Sequence, residues 1–382
     1  MTASTRPSDP LRVLFLSDHL GHPEGRVHGA TTYFLQVLPR LTRAGVDLTV
    51  CFLRERHPVA DRLEAAGVRP RFLHRGRWDP RAYSDVRRII RQHDVHLIHA
   101  AGMKGILIGR AAARSCRRPV IAHLHDRNDP GPLLAWLHRR TAGSTSRVLA
   151  ISDAVAEFGR TRLGLPADRI ETLYNGIDLD AFADPDPNGR RRVRDQLGLP
   201  MDAPVVAAIG RLTREKGQDI LLRAWPRLVE ARPDTRLLVV GDGPERPACE
   251  ALAASLGIQG SVRFLGSRDD VPDLLAAADV VAIPSREEGL SYVALEAMAA
   301  GVPVAAFATG GLREVLADDQ TGRLAPAEDG AALVDAVRSL VEDPLLARRL
   351  VHAARDAVRA YSIDLHVARL VAIYRDVAGG VP

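Results

Sequence analysis

Three carboxylates, Glu287, Glu288 and Glu296, fall within one stretch, Pro284 to Gly301. The apolar run Val280 to Ile283 ends at Pro284, a polar loop follows, a helical pattern begins near Ser291 and stops at Gly301, and a new apolar run opens at Val302. A helix start offers unpaired backbone N–H groups and a positive dipole end, so it favours phosphate. Carboxylates beside it are left to accept from hydroxyls. Together these residues point to a sugar-phosphate site.

A second stretch has the same placement. Gly210-Arg211-Leu212-Thr213-Arg214-Glu215-Lys216-Gly217 lies between an apolar run and a helical pattern, where open α/β sheets bind ligands. Arg211 offers a planar fork and Lys216 a point charge, and both suit a diphosphate. A charged surface turn is the alternative. Lys216 stands out because Lys104 is the only other lysine among 52 basic residues, so its compact ammonium serves where a guanidinium does not. Gly241-Asp242-Gly243-Pro244 also follows a strand, but without the third glycine of a dinucleotide fingerprint it reads as a tight turn.

These loops need a frame, and the chain supplies one twice. Arg12 to Asp18, Val46 to Leu53, Arg71 to His74, Val95 to Ala100, Pro119 to His125, Arg147 to Ser152 and Ile170 to Leu173 are strand-like runs separated mostly by helical spacers. A second series follows at Val205 to Gly210, Arg236 to Val240, Val262 to Leu265, Val280 to Ile283, Val302 to Phe307 and Gly322 to Ala325. Alternating β and α predicts parallel sheets. At 382 residues the chain exceeds one ordinary core. The expected division is an N-terminal domain over 1–180 and a C-terminal domain over 181–363. The turn-rich start of Asp178 to Pro204 is read as the linker, and a closing helix after Tyr361 is read as foreign to the second sheet.

The same residues resemble a family. Gly210-Arg211 with Lys216-Gly217, Gly241 to Pro244, Val262-Arg263-Phe264-Leu265-Gly266, and above all Pro284 through Glu288, Glu296 and Gly301-Val302-Pro303-Val304, are similar to the retaining GT-B glycosyltransferases of the GT4 type. Asn175-Gly176-Ile177-Asp178 is similar to the end of that family's first domain. The resemblance implies an α/β GT-B fold: two Rossmann-like domains facing across a cleft, with residues 364–382 returning to the first. It implies a nucleotide-sugar donor, UDP-linked or else GDP- or ADP-linked, and an acceptor hydroxyl of a small molecule, glycan or lipid. Arg211 and Lys216 would grip the diphosphate, Glu288 the sugar hydroxyls and Glu296 the ribose. The backbone at Gly289, Leu290 and Ser291 would face phosphate and sugar, and the strand edge Arg263, Phe264, Leu265 would take the base. From the first domain His125 and Asp126 match the histidine near the donor sugar, and Gly29 the loop beside the diphosphate. His28-Gly29-Ala30 stands where the family has paired glycines. Alternatives are a sugar-nucleotide epimerase of the same fold and a non-catalytic nucleotide-sugar binding protein.

The resemblance implies retaining transfer on one face of the sugar, which would need no nucleophile, and no required metal and no cofactor are expected. Asp178-x-Asp180 and Asp184-x-Asp186 imitate a metal-binding motif in the wrong context. His93, His96, His99, His123 and His125 have no ligand spacing and are read as strand-end or surface histidines. Residues 1–180 carry 28 Lys+Arg against 18 Asp+Glu, a surplus of ten, and the remainder 24 against 29. Solvated arginines explain the surplus; an anionic acceptor or a peripheral membrane contact, helped by the mixed basic and aromatic run Arg69 to Trp78, is the other reading. Nucleic acid is not expected, with aromatics at 4% and no binding module. Scattered Cys51, Cys116 and Cys249, no signal-peptide pattern and no spanning run predict a cytoplasmic protein.

Overall fold

Thirteen short strands, most of them rich in Val, Leu, Ile and Ala, form two all-parallel sheets in the computed structural model, which describes residues 10–21, 29–76, 79–183 and 188–380. Strands buried on both faces read as continuous apolar runs because helices cover each side. The chain divides into unit 1, Met1–Gly176 with Ile363–Pro382, and unit 2, Ile177–Ser362.

Unit 1 contains β1 (Leu11–Ser17), β2 (Val46–Phe52), β3 (Arg71–Phe72), β4 (Leu97–Ala101), β5 (Val120–Leu124), β6 (Arg147–Ala150) and β7 (Ile170–Thr172), in the spatial order β3-β2-β1-β4-β5-β6-β7. The first long helix, Gly29–Arg43, buries Tyr33, Phe34, Val37, Leu38 and Leu41 against this sheet. The closing helix, Ile363–Gly379, shares that core through Ile363, Val367, Leu370, Val371, Ile373 and Tyr374. Each fully buried aliphatic side chain contributes about 1.5–3 kcal/mol, so the helix is firmly held to the first sheet although it follows the second in sequence. Gly176 makes its entry possible: a Cβ there would lie 2.5 Å from Ile363 Cα.

Unit 2 contains β8 (Val205–Ile209), β9 (Arg236–Val240), β10 (Val262–Gly266), β11 (Val280–Ile283), β12 (Val304–Phe307) and β13 (Arg323–Ala325), ordered β10-β9-β8-β11-β12-β13. In both sheets the order reverses beside the first strand, the arrangement of doubly wound dinucleotide folds, and ligands bind there at the carboxyl ends.

The basic run Arg190 to Arg194 belongs to a helix, Gly189–Gln196, of unit 2. Arg194 is fully buried; it donates to Asp279 at 2.7 Å and to the carbonyls of Ala277, Pro200, Met201 and Ala203 at 2.8–3.1 Å. A buried guanidinium is tolerated because so many of its N–H groups find acceptors. Asp184 to Pro187, His28 and the Arg77-Trp78 end of the mixed run lie outside the described residues.

Candidate functional site

In unit 2 the site grows from two loops that leave β8 and β11, the pair at the reversal of strand order. After β8 the chain makes a short turn, Arg214–Lys216, and enters the helix Gln218–Ala231 through Gly217 at φ +67°. A Cβ on Gly217 would sit 2.0 Å from the Pro284 carbonyl oxygen, so only glycine lets the two loops approach this closely. Polar contacts then join them. Arg286 N–H donates to Glu215 O at 2.8 Å, and the Arg286 guanidinium grips both Asp219 oxygens at 2.8 and 2.9 Å.

The join places Lys216 Nζ 2.6 Å from Glu288 Oε1. Ser285 Oγ donates to the same oxygen at 2.8 Å, while Oε2 has no partner among the described residues. Glu288 is buried, whereas Glu287 is exposed and turned to solvent. Ser291 caps the helix Tyr292–Ala300 by accepting from Ala294 N–H. Just ahead of that helix the backbone N–H groups of Gly289, Leu290 and Ser291 donate to no described acceptor. The site thus presents a cation, three free N–H donors and a half-engaged carboxylate, a set that suits a phosphate with a hydroxyl-bearing group beside it.

Glu296, in the second turn of the same helix, is half-buried and has no partner among the described residues; burial pushes its carboxyl up to about 7. Arg211 pairs with Glu215 at 2.7 Å on the same loop as Lys216. Arg263, Phe264 and Leu265 lie apart from this cluster on β10, the far edge strand, where the Arg263 guanidinium is turned to the Leu197 carbonyl.

Sequence reasoning passed over Thr309-Gly310-Gly311, the loop after β12. Cβ atoms on Gly310 and Gly311 would lie 2.1 Å from Glu288 O and 2.2 Å from Gly289 O. Thr309 Oγ1 donates to Ser285 O at 2.9 Å, and Gly311 N–H to Glu288 O at 3.1 Å. This loop is the floor under the Glu288 backbone, and a glycine pair directly after a strand was its signal. A cavity of about 590 Å³ opens elsewhere in unit 2, at the amino ends of β8, β11 and β12 beside Pro204, Asp279 and Pro303. It lies at the opposite edge of the sheet from Lys216 and Glu288, so size alone does not mark the site.

In unit 1, Gly29 heads the first long helix, tied down by Thr31 Oγ1 donating to Leu20 O at 2.8 Å. Asp126 is exposed and accepts from Asn128 N–H at 3.0 Å. His125 follows β5 with both ring nitrogens enclosed and unpartnered among the described residues, and burial pulls its pKa down to about 3. The reading of the histidines as strand-end or surface groups fails for His99 and His123, which are fully buried on β4 and β5. Those strands are central, so every second side chain points into a helix layer rather than into water. Among the described residues no group of three or more His, Cys, Asp or Glu could hold a metal ion, and no helix is long and apolar enough to cross a membrane.

Comparison with known proteins agrees with this geometry. Residues 189–357 match the family model for glycosyl transferases group 1, and residues 27–181 that for glycosyltransferase family 4. The GDP-mannose-dependent alpha-(1-6)-phosphatidylinositol monomannoside mannosyltransferase of Mycolicibacterium smegmatis is 35% identical over 292 residues, which is 72% of this chain and 75% of that protein. A D-inositol 3-phosphate glycosyltransferase of Xylanimonas cellulosilytica is 38% identical over 60% of this chain and 58% of its own length. The solved structure of Anabaena Alr3699/HepE in complex with UDP superposes with a TM-score of 0.83 at 25% identity, covering 96% of this chain and all of that one.

Proposed function

The chain belongs to the family 4, group 1 glycosyltransferases of GT-B fold, and from that premise we propose that it moves a sugar from a nucleotide donor to an acceptor hydroxyl with retention at the anomeric carbon and without a metal. The contact between Lys216 and Glu288 at 2.6 Å carries the reading. In it Lys216, with Arg211, neutralises the diphosphate as charge builds on the leaving group, and the free N–H groups of Gly289 to Ser291 add preorganised dipoles. Glu288 accepts from the donor sugar's hydroxyls and Glu296 from the ribose, so the two glutamates hold opposite ends of one donor. They are not an acid–base pair. Arg263 to Leu265 take the base.

UDP is the favoured donor nucleotide because the HepE structure holds UDP; the mannosyltransferase of M. smegmatis keeps GDP in the panel. Thermal shift with UDP-, GDP- and ADP-sugars tests the donor: one at about a hundred times its dissociation constant stabilises by about 2.7 kcal/mol. Stabilisation by none of them, or isomerised donor without transfer, overturns the proposal.

One observation favours a lipid-borne acceptor over a small polar one. The helix Pro132–Thr141 of unit 1 exposes Leu133 at 61% and Trp136 at 56%, one turn apart and next to Arg139 and Arg140. Apolar anchors beside cations suit an anionic membrane surface. Cosedimentation with vesicles of anionic phospholipid, lost in Leu133→Ser/Trp136→Ser, is the expected result; equal binding by the variant contradicts it.

A further inference from the structure

We propose that the cavity at the amino ends of β8, β11 and β12 is a second ligand site, which binds a small organic molecule carrying two or more phosphate groups. The cavity has a volume of about 590 Å³ and is lined by residues of unit 2 alone. Cavities of about 300–1,000 Å³ take ligands of metabolite size. It lies at the opposite edge of the sheet from Lys216 and Glu288, so it is no part of the proposed donor site, and the inference does not rest on that reading.

Charge selects the class of ligand. Arg190, Arg232, Arg348 and Arg355 line the cavity against only two carboxylates, Asp202 and Asp279. Asp279 is fully engaged: Arg190 donates to one oxygen at 2.6 Å, and Arg194 and the Val205 N–H donate to the other at 2.7 and 2.8 Å. Arg232 reaches Asp234 at 3.3 Å. Arg348 and Arg355 have no carboxylate partner among the described residues. Arg355 donates to the Ala300 carbonyl at 3.1 Å, and Arg348 donates to no described acceptor. Arg349, on the same helix but outside the lining, pairs with Asp319 at 2.9 Å. The guanidinium groups without an anion are thus the ones turned to the cavity.

The helix Pro344–Val358 sets their spacing. Arg348, His352 and Arg355 recur at intervals of four and three residues, which puts them on one face. At about 1.5 Å per residue, Arg348 and Arg355 stand about 10.5 Å apart along the axis. Both are exposed, so a ligand meets them directly from solvent. That separation suits phosphates at the two ends of one small body, each taken by a planar fork. Ala347 and Val351, with Leu340 and Val341 of the helix Gly330–Glu342, give the body an apolar wall. The amino end of Pro344–Val358 is not the attraction, because Asp343 already accepts from Leu345 and Leu346 N–H at 3.0 Å.

The test is calorimetric titration of the full chain with fructose 1,6-bisphosphate, ADP, inorganic phosphate and fructose. One organic phosphate is expected to bind per cavity at least about tenfold more tightly than inorganic phosphate, and fructose not at all. In Arg348→Ala/Arg355→Ala the dissociation constant should rise about a hundredfold, the size of two lost charge-assisted hydrogen bonds. Both side chains are exposed, and unfolding without ligand checks that this variant is folded. Arg349→Ala should bind as the native chain does. Titrations in Lys216→Ala keep the proposed donor site out of the signal, and the tighter of the sugar bisphosphate and the nucleotide there identifies the source of the phosphates. Four results would each overturn the proposal: binding of neither organic phosphate, equal binding by Arg348→Ala/Arg355→Ala, binding abolished by Lys216→Ala, or inorganic phosphate bound as tightly as the organic ones, which marks an adventitious ion only.

Discussion

Replacing Lys216 by alanine separates the two roles proposed for one ammonium. In the free protein it neutralises Glu288 at 2.6 Å, where the glutamate is 7% and the lysine 24% exposed. Breaking a buried pair costs about 3–5 kcal/mol. The lysine side is partly open to water and Ser285 still donates to the carboxylate, so a stability loss of about 1–3 kcal/mol is expected. Catalysis should suffer more. Loss of one preorganised donor to a developing anion typically costs about 10²–10³ in turnover, and the unmasked Glu288 would further repel a diphosphate. Lys216→Ala/Glu288→Gln removes the repulsion while leaving the cation absent. The double variant should recover part of the loss, with a coupling of about 0.5–3 kcal/mol. Initial rates of nucleotide release with saturating acceptor, beside thermal unfolding of each variant, give all the quantities. Lys216→Ala within about threefold of the native kcat/KM would refute the cation's role, and strict additivity in the cycle would refute the pair.

Three further outcomes follow from groups held away from their ordinary states. In the proposed site, ribose hydroxyls donating to Glu296 would favour its charged form, so nucleotide binding near about pH 6–7 should release a proton; calorimetry giving equal heats in buffers of different ionisation enthalpy would exclude this. In the free protein the raised value of about 7, against 4.5 unfolded, means its contribution to stability is full below 4.5 and lost as pH rises through 7. Glu296→Gln should remove that slope. The buried histidines have the opposite sign. His125 at about 3, His366 at about 4, and His99 and His123 well below 6.5 stabilise above 6.5 and lose that contribution as pH falls through their folded values. Unfolding free energies from urea titration should therefore drop between about pH 7 and about pH 5, by about 2 kcal/mol each for His125 and His366, and equal values would contradict their neutral burial. Gly217→Ala should lose more than tenfold in activity and more stability than Gly257→Ala. Both have φ near +67°, but only the first directs a Cβ at a carbonyl, Pro284 O, and the second meets nothing within 4 Å. Both pay about 1–2 kcal/mol for the left-handed backbone, so equal behaviour would dismiss the contact between the loops.

How far the site was legible depended on how far its partners lie along the chain. Val280 to Ile283 and Val205 to Ile209 announced buried parallel strands because an apolar run bounded by turn residues is a local pattern. Lys216 and Glu288 were each recognisable from their own loops, and the strand order alone brought together residues 72 apart. Arg194 and Thr309 to Gly311 were passed over because their roles exist only against Asp279 and Glu288, and a basic run or a glycine pair looks the same when solvated. The histidines are the sharpest case. Nothing local distinguishes His99 or His123 from a solvent-facing histidine, since strand alternation says only that they share a face. What buries them and gives them a partner is a helix whose Tyr374 lies 275 residues beyond His99. A strand histidine with its buried partner removed costs the desolvation of an unmet polar group. Retaining these imidazoles in the sheet therefore depends on the closing helix, which brings Tyr374 Oη to His99 along with its apolar stripe.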